Sequence, residues 1–475
     1  MRKKYLAIFL AAAMTVSLAG CGGAKDQGSE PAKEESTEST QTQEESTPAQ
    51  DEGADESQEA DTGSSEESGE GLSGSFSIYH MHGEDDTTGT AAAFWKAAKK
   101  FQEENPNVEI EFVFTAHDGY QQKLTTMMAG EELTDVWMTK GDMLPSFADT
   151  GTIQAADQYI KADAEWADAY LDGAFADCTY DGTEWGVPMQ MQANTIGIYN
   201  EAIFEECGID AWPETWTELI EDCEKIKAKG YIPIAMGNKE QWVAESTVFN
   251  TYAYKYVDQE WFNSLANNQG AKFTDEAFVR ALAGFQDIAQ YFNEDMNSLD
   301  QDEMYALYYN KQAAMFFNGA WGVGNVIGNC PEDVLATTHV GLMPAVEGEA
   351  GTKYDTAAGA GWNYVIHSRL EGDDLTACLA FLKAVSTGDY ANDALQLGFI
   401  SSGKTTEVDT STLHPLFAEY YELAATMNNC SIFDVVLPAE VGSGVLYADT
   451  QQLIAGTMTP EDMAADCQAV MEANY

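Results

Sequence analysis

The chain has 475 residues, 79 of them acidic and 23 basic, for a formal net charge of −56. So acidic a surface repels phosphate backbones and anionic headgroups, which disfavours nucleic acid and anionic lipid as partners. The length suffices for two lobes with cores of their own.

Arg2, Lys3 and Lys4 precede an apolar run from Tyr5 to Leu18. A positive start followed by an apolar stretch is the pattern of a signal peptide over 1–20. The run is shorter than the roughly 20 residues that span a bilayer. Leu18-Ala19-Gly20-Cys21 resembles the bacterial lipobox. That resemblance implies cleavage before Cys21, diacylglycerol and palmitate on Cys21, and anchoring at the extracellular face of the bacterial cell membrane. Two or more acyl chains make such an anchor stable. From Gly22 to Ser73 the chain is Glu-, Ser-, Thr- and Gln-rich, with 16 acids, two bases and no large apolar residue before Leu72. It cannot bury enough apolar surface to offset ordering entropy, so 21–73 reads as an extended tether.

Without leader and tether, 63 acids still face 18 bases. The remaining cysteines are Cys178, Cys207, Cys223, Cys330, Cys378, Cys430 and Cys467, widely spaced and without a CxxC pair. No zinc site is expected, and most read as small buried hydrophobes. No other metal, no cofactor and no phosphate-binding glycine loop is expected.

Ser75–Tyr79 reads as a strand. Ala91–Asn105 reads as a helix with Phe94, Trp95, Ala98 and Phe101 on one face, stopped at Pro106. Val108, Ile110, Phe112 and Phe114 alternate as a strand, Tyr120–Ala129 is helical up to Gly130, and Asp135–Met138 is a third strand. Strands alternating with helices predict a parallel sheet with helical crossovers. After Trp185-Gly186-Val187-Pro188 a second α/β lobe begins. Thr195–Asn200 is a strand, and Asn200 caps a short helix. Thr215 and Glu218 form a capping box on a helix ending at Gly230, with Trp216, Leu219, Ile220, Cys223 and Ile226 as its buried stripe. Ile232–Met236 is a strand, Val243–Tyr256 and Glu276–Tyr291 are helices, and Ala313–Trp321 is a strand with an abrupt turn.

The blocks FWKAAKKFQEENPNVEIEF, YQQKLTTMMAGEELTDVW, WGVPMQMQANTIGIYNEAIFEECGIDAWPETWTELIEDCEKIKAKG, NKQAAMFFNGAW and TPEDMAADCQAVM together resemble the family 1 extracellular solute-binding proteins of carbohydrate ABC transporters, whose familiar member is the maltodextrin-binding protein. The resemblance covers 74–472. It implies a two-lobe periplasmic-binding-protein-like (type II) α/β fold with the ligand between discontinuous lobes, 74–188 plus 357–402 and 189–356 plus 403–475. The hinge crossings then fall near Pro188–Ala193, Asp355–Trp362 and Ile400–Thr406. It further implies a monomeric, non-enzymatic receptor that delivers a carbohydrate to ABC permease subunits.

Ligands of open α/β sheets sit at the carboxyl ends of strands. Here those ends carry His82, Glu84, His117, Asp118, Lys140 and Asp142, groups able to bond vicinal hydroxyls. Sugar faces pack on aromatic rings. Trp242, beside the acid Glu240, and Trp321, after Asn318-Gly319-Ala320, match the family's stacking positions, and Trp362 follows Gly359-Ala360-Gly361 at a crossing. Trp95, Trp166, Trp212, Trp216 and Trp261 read as packing. Two departures from the maltodextrin binder stand out. Gln190, Gln192 and Ala193 occupy the first crossing, where that relative has a glutamate. Gly442-Ser443-Gly444 replaces a stacking platform, leaving Phe433 or Tyr447 to compensate and Asp434 as a polar contact. A surface glycosidase needs two carboxylates flanking a bond, and no catalytic motif stands out. A short peptide, polyamine or phosphorylated polyol is the alternative ligand, and Lys140 in the cleft argues against a dication.

Overall fold

The computed structural model describes residues 71–406 and 408–474. Cys21, the leader and nearly all of the tether lie outside the described residues. The strands in chain order are β1 (Ser73–His80), β2 (Asn107–Phe114), β3 (Val136–Lys140), β4 (Ile153–Gln154), β5 (Thr179–Tyr180), β6 (Thr183–Glu184), β7 (Val187–Pro188), β8 (Gln192–Ala193), β9 (Ile196–Asn200), β10 (Ile232–Ala235), β11 (Ala313–Asn318), β12 (Thr338–Gly341), β13 (Asp355–Gly359), β14 (Trp362–His367) and β15 (Asn428–Cys430). A first sheet runs β2-β1-β3-β14-β4, with β7 also on β14; a second runs β10-β11-β9-β12; a third, small sheet runs β15-β13-β8; β5 and β6 form a hairpin.

The first three strands are parallel as predicted: β1 pairs with β2 and β3 in that sense. The sheet as a whole is mixed, because β14 returns antiparallel between β3 and β4. The second sheet is mixed too, with β10 and β11 parallel and β9 antiparallel to both β11 and β12. Each sheet carries a core. Around the first, Phe76, Ile78, Phe94, Phe101, Val136 and Phe381 are buried together. Helix Gly89–Glu104 supplies Phe94, Ala98 and Phe101 to that core, Ala93 packs instead with Tyr390, Ala394 and Phe399, and Trp95 is only half-buried. The second sheet buries Ile196 and Phe316 on one face and Met315 and Phe317 on the other, as the two-sided burial of β11 requires.

Local signals behave as the sequence predicts. Thr215 accepts from the Glu218 N–H at 3.2 Å and Glu218 accepts from the Thr215 N–H at 3.1 Å, closing the capping box of helix Trp216–Ala228. Such a cap contributes about 1 kcal/mol. Gly230 takes φ +94° just beyond that helix. Asn200 accepts from the Ile203 N–H. The predicted helix Val243–Tyr256 is instead broken by a π-helical turn, Glu245–Phe249. A second π turn, Glu440–Val445, precedes helix Leu446–Ile454. The Ala313–Trp321 strand stops at Asn318, and Trp321 opens helix Trp321–Asn329.

The seven described cysteines are free, six of them buried. Among the described residues no helix is long and apolar enough to cross a membrane, and no group of three or more His, Cys, Asp or Glu side chains could hold a metal ion.

Candidate functional site

The ends of both main sheets face one cavity of about 820 Å³, within the range of small-molecule sites. Three local arrangements put aromatic rings into it. β14 enters next to the end of β3, so Trp362 lies in register with Lys140. Beyond β11 the chain passes Gly319 and Ala320, and the Trp321 ring folds back over Gly319. A Cβ there would stand 2.0 Å from that ring. Beyond β10, Gly237 lies so close to the Asp300 carbonyl that a Cβ would meet it at 2.2 Å. This close approach carries the chain to Glu240, Gln241 (φ +70°) and Trp242. The Trp242 and Trp321 ring centroids are 6.1 Å apart. His117 continues the run, 5.0 Å from Trp242 and 6.0 Å from Trp362, and Tyr120 stands edge-on to Trp362 at 5.4 Å. The aromatic wall therefore crosses from residues after the second sheet to residues of the first.

Of the residues the sequence singled out, His82, Lys140, Gln190, Gln192, Glu240, Trp242, Trp321, Trp362 and Asp434 line this cavity. Glu84 does not. It lies on the outer surface, 3.2 Å from Lys99. Gln192 is buried and donates to the Gln190 side chain at 3.0 Å. His82 is buried against Phe94 and bonds the Tyr364 hydroxyl at 3.0 Å, while its carbonyl accepts from Trp95 Nε1. Burial, and then His80 beside it, hold the His82 imidazole well below the usual range, so it is neutral near pH 7. Glu240 stands 3.8 Å from Lys239.

Lys140 and Asp434 form an ion pair at 2.7 Å, each side chain 6 % exposed. Around it, Tyr447 donates to Asp434, Ser246 donates to Asp434 Oδ1 at 3.1 Å, and Ser443 donates to Asp142 Oδ2 at 2.7 Å. Burial lowers the Lys140 ammonium's affinity for its proton, but Asp434 and Asp142 outweigh it and leave the pKa above the usual lysine value. Burial pushes the Asp434 carboxyl up, and Lys140 with its other donors overcomes this and holds it below the usual range. Glu245, at the start of the first π turn, is fully buried, with neither carboxyl oxygen hydrogen-bonded. Burial, with Asp434 next to it, raises its pKa well above the usual value. Lys140 is thus spent on protein groups, and its charge does not count against a cationic ligand as its sequence position suggests.

Phe433 is core, stacked on Phe262 at 4.9 Å, and does not line the cavity. Tyr447 does line it. Sequence reasoning missed Gln121, Asn194, Ser246, Gln301 and Asn325 as lining residues. Ser246 sits in the π turn Glu245–Phe249 and the others on ordinary helices or loops, and only tertiary placement marks them. Between β13 and β14, beside the site, Asp177 accepts from the Gly361 N–H at 2.9 Å, and a Cβ on Gly359 would lie 2.1 Å from that carboxylate.

Two glycine runs fit phosphate-loop spacings by count, and their settings differ from that motif's strand–loop–helix context. The run Gly69–Gly74 ends inside β1 rather than after a strand. Gly398–Thr405 follows helix Asp389–Gln396 and opens no helix; Lys404 donates to the Asp168 carbonyl, and Gly403 packs against Ser386 and Thr387.

A family model of bacterial extracellular solute-binding proteins matches residues 84–369. The chain belongs to that family. Among curated relatives, the diacetylchitobiose binding protein of Streptomyces coelicolor is 25 % identical over 232 residues, 48 % of this chain and 44 % of that one. The multiple sugar-binding protein of Streptococcus mutans is 24 % identical over 258 residues, 52 % of this chain and 58 % of that one. A binding protein of Brucella abortus is 29 % identical over 164 residues, 34 % of this chain and 39 % of that one. The chain thus spans between about two fifths and three fifths of these relatives. Of solved structures, a chitin oligosaccharide binding protein superposes with a TM-score of 0.75 at 23 % identity, over 84 % of this chain and 98 % of that one. The maltose-bound MalE3 of T. maritima gives 0.67 at 18 %, over 84 % and 100 %. The fold of this solute-binding protein is accordingly the two-lobed, type II periplasmic-binding-protein architecture with mixed α/β content.

Proposed function

We propose that the protein is the extracellular substrate-binding component of an ABC importer, and that it captures a carbohydrate, best an oligosaccharide, between its lobes and hands it to the permease without catalysing a reaction. The observation that carries the reading is the aromatic wall. Trp242, Trp321 and Trp362 line one cavity together with the amides of Gln190 and Gln192, the pairing of apolar faces and hydroxyl-bonding groups that a sugar needs. The names of the relatives point the same way. On this reading the lobes are 74–188 with 357–402 and 189–356 with 403–475, closing about the three crossings; the chain acts as a monomer; and Cys21, lipidated after removal of 1–20, holds it at the outer face of the membrane.

The test is a thermal-shift screen of the full chain against mono- and oligosaccharides. A ligand at a hundredfold excess over Kd stabilises by about 2.7 kcal/mol. A shift with one glycan series, abolished in Trp321→Ala, supports the reading; no shift with any glycan overturns it. A second reading, a polyamine ligand, is favoured by one observation. Among the described lining residues, five carboxylates stand beside the Lys140–Asp434 pair. Spermidine therefore belongs in the same screen.

A further inference from the structure

We infer that this receptor rejects anionic solutes, and that Asp434 enforces the rejection by taking up the charge of Lys140. The inference rests on the proposed binding role of the cavity, but not on whether its ligand is a neutral glycan or a polyamine.

Among the described lining residues Lys140 is the one lysine or arginine. An anionic solute, such as a uronate, a sugar phosphate or an acidic peptide, would need that ammonium. It is not on offer. Its Nζ lies 2.7 Å from Asp434 Oδ2 and 3.3 Å from both Ser443 Oγ and Tyr447 Oη, on a side chain 6 % exposed. Asp434 is fixed in turn by Ser246 and Tyr447, so neither partner can swing away without leaving a buried charge alone, which is costly. Histidines and the phenols of Tyr305 and Tyr447 aside, the other ionisable groups among the described lining residues are carboxyls. Asp85 and Asp86 follow β1, and Glu240, Asp300 and Asp302 come from the opposite side. Burial, then Asp85 and Asp302, raise the Asp86 pKa, the mark of carboxylates already crowding one another. An anion entering here would lose its water, gain no free cation and face these groups.

Asp434 is therefore a positioning and specificity residue. It acts through Lys140, and its removal should convert the site rather than only weaken it. The experiment takes the full chain, wild type and Asp434→Asn, each checked by circular dichroism, and measures binding of trigalacturonate and inorganic phosphate beside maltotriose, xylotriose, triacetylchitotriose and spermidine. The expected result is no binding of either anion to the wild type, and an affinity for trigalacturonate or phosphate at least roughly tenfold higher in Asp434→Asn, whose Lys140 has lost its ion-pair partner at 2.7 Å. Wild-type binding of trigalacturonate or phosphate as tight as that of any neutral or cationic probe overturns the inference, and that arm holds even if the variant fails to fold. A folded Asp434→Asn with no gain for either anion overturns it as well. If no neutral glycan binds and spermidine does, the carbohydrate reading falls while the rejection of anions stands. If nothing binds the wild type, the gain or its absence in Asp434→Asn decides.

Discussion

Gly319→Ala tests whether the Trp321 ring is part of the binding wall without touching the ring itself. The backbone at 319 lies outside the left-handed region, so alanine meets no strain there. The new Cβ, however, would stand 2.0 to 2.3 Å from three atoms of the Trp321 six-membered ring, and contact between carbons is optimal at about 3.5 Å or more. The ring must therefore move by roughly 1.5 Å, and gaps of half that size already forfeit a large part of the dispersion well. A tryptophan buries roughly 150–250 Å² in a complete contact. Losing about half of that at ~25 cal/mol per Å² costs about 2 kcal/mol, close to thirtyfold in Kd. Isothermal titration with the glycan identified in the screen measures the loss, and tryptophan emission reports the displaced ring. Thermal stability should change by less than about 1 kcal/mol. An affinity within twofold of wild type, with emission shifted, would show that the Trp321 face is not a binding surface.

Asp449 is buried, and burial and then Asp466 raise its carboxyl to about 6. A raised acid favours the protonated form, so stability present at pH 4 is lost as pH climbs toward 6. Asp449→Asn should raise stability at pH 7 by about 2 kcal/mol, read from the thermal midpoint, with the gap to wild type closing by pH 4. His80 lies buried among Phe94, Trp95, Phe112 and Phe114, and burial lowers its imidazole to about 4. Stability should be intact at neutral pH and fall between the ordinary histidine value near 6.5 and pH 4, by up to about 3 kcal/mol for this group. Urea denaturation across that window should show a shallower acid limb in His80→Phe, and equal limbs would rule His80 out as the source. Gly359→Ala drives a methyl into the Asp177 carboxylate that accepts from Gly361. It should destabilise the chain by about 1–3 kcal/mol, read from the denaturation midpoint.

What is legible in the sequence is local. The capping box of Thr215 and Glu218 and the Asn200 cap each depend on residues within one turn. Trp321 can be placed because it follows directly on the end of β11. Trp362 and Lys140 can be named separately, but that they are neighbours depends on β14 returning antiparallel beside β3, a pairing across more than two hundred residues that no local pattern encodes. The pairing of Lys140 with Asp434 is equally non-local, which is why a group read as a ligand contact is held by the protein itself. Glu84 follows a strand end, as a cleft residue should, yet the loop after His82 turns it toward Lys99. The two π turns leave no mark in the hydrophobic periodicity, since one extra residue per turn shifts a face without changing its composition.

The position of β14 also bears on when the molecule can fold. β3 and β4 are separated in the first sheet by a strand that ends at His367, so a ribosome must complete three quarters of the chain before that sheet can close. Until then the partial sheet exposes an open strand edge beside apolar residues such as Val136, Trp137 and Met138. Edges of that kind are sites of misassembly, and long-range pairings are slow to form. Closure of the first sheet therefore waits on β14, and every strand from β9 to β13 is synthesised before it.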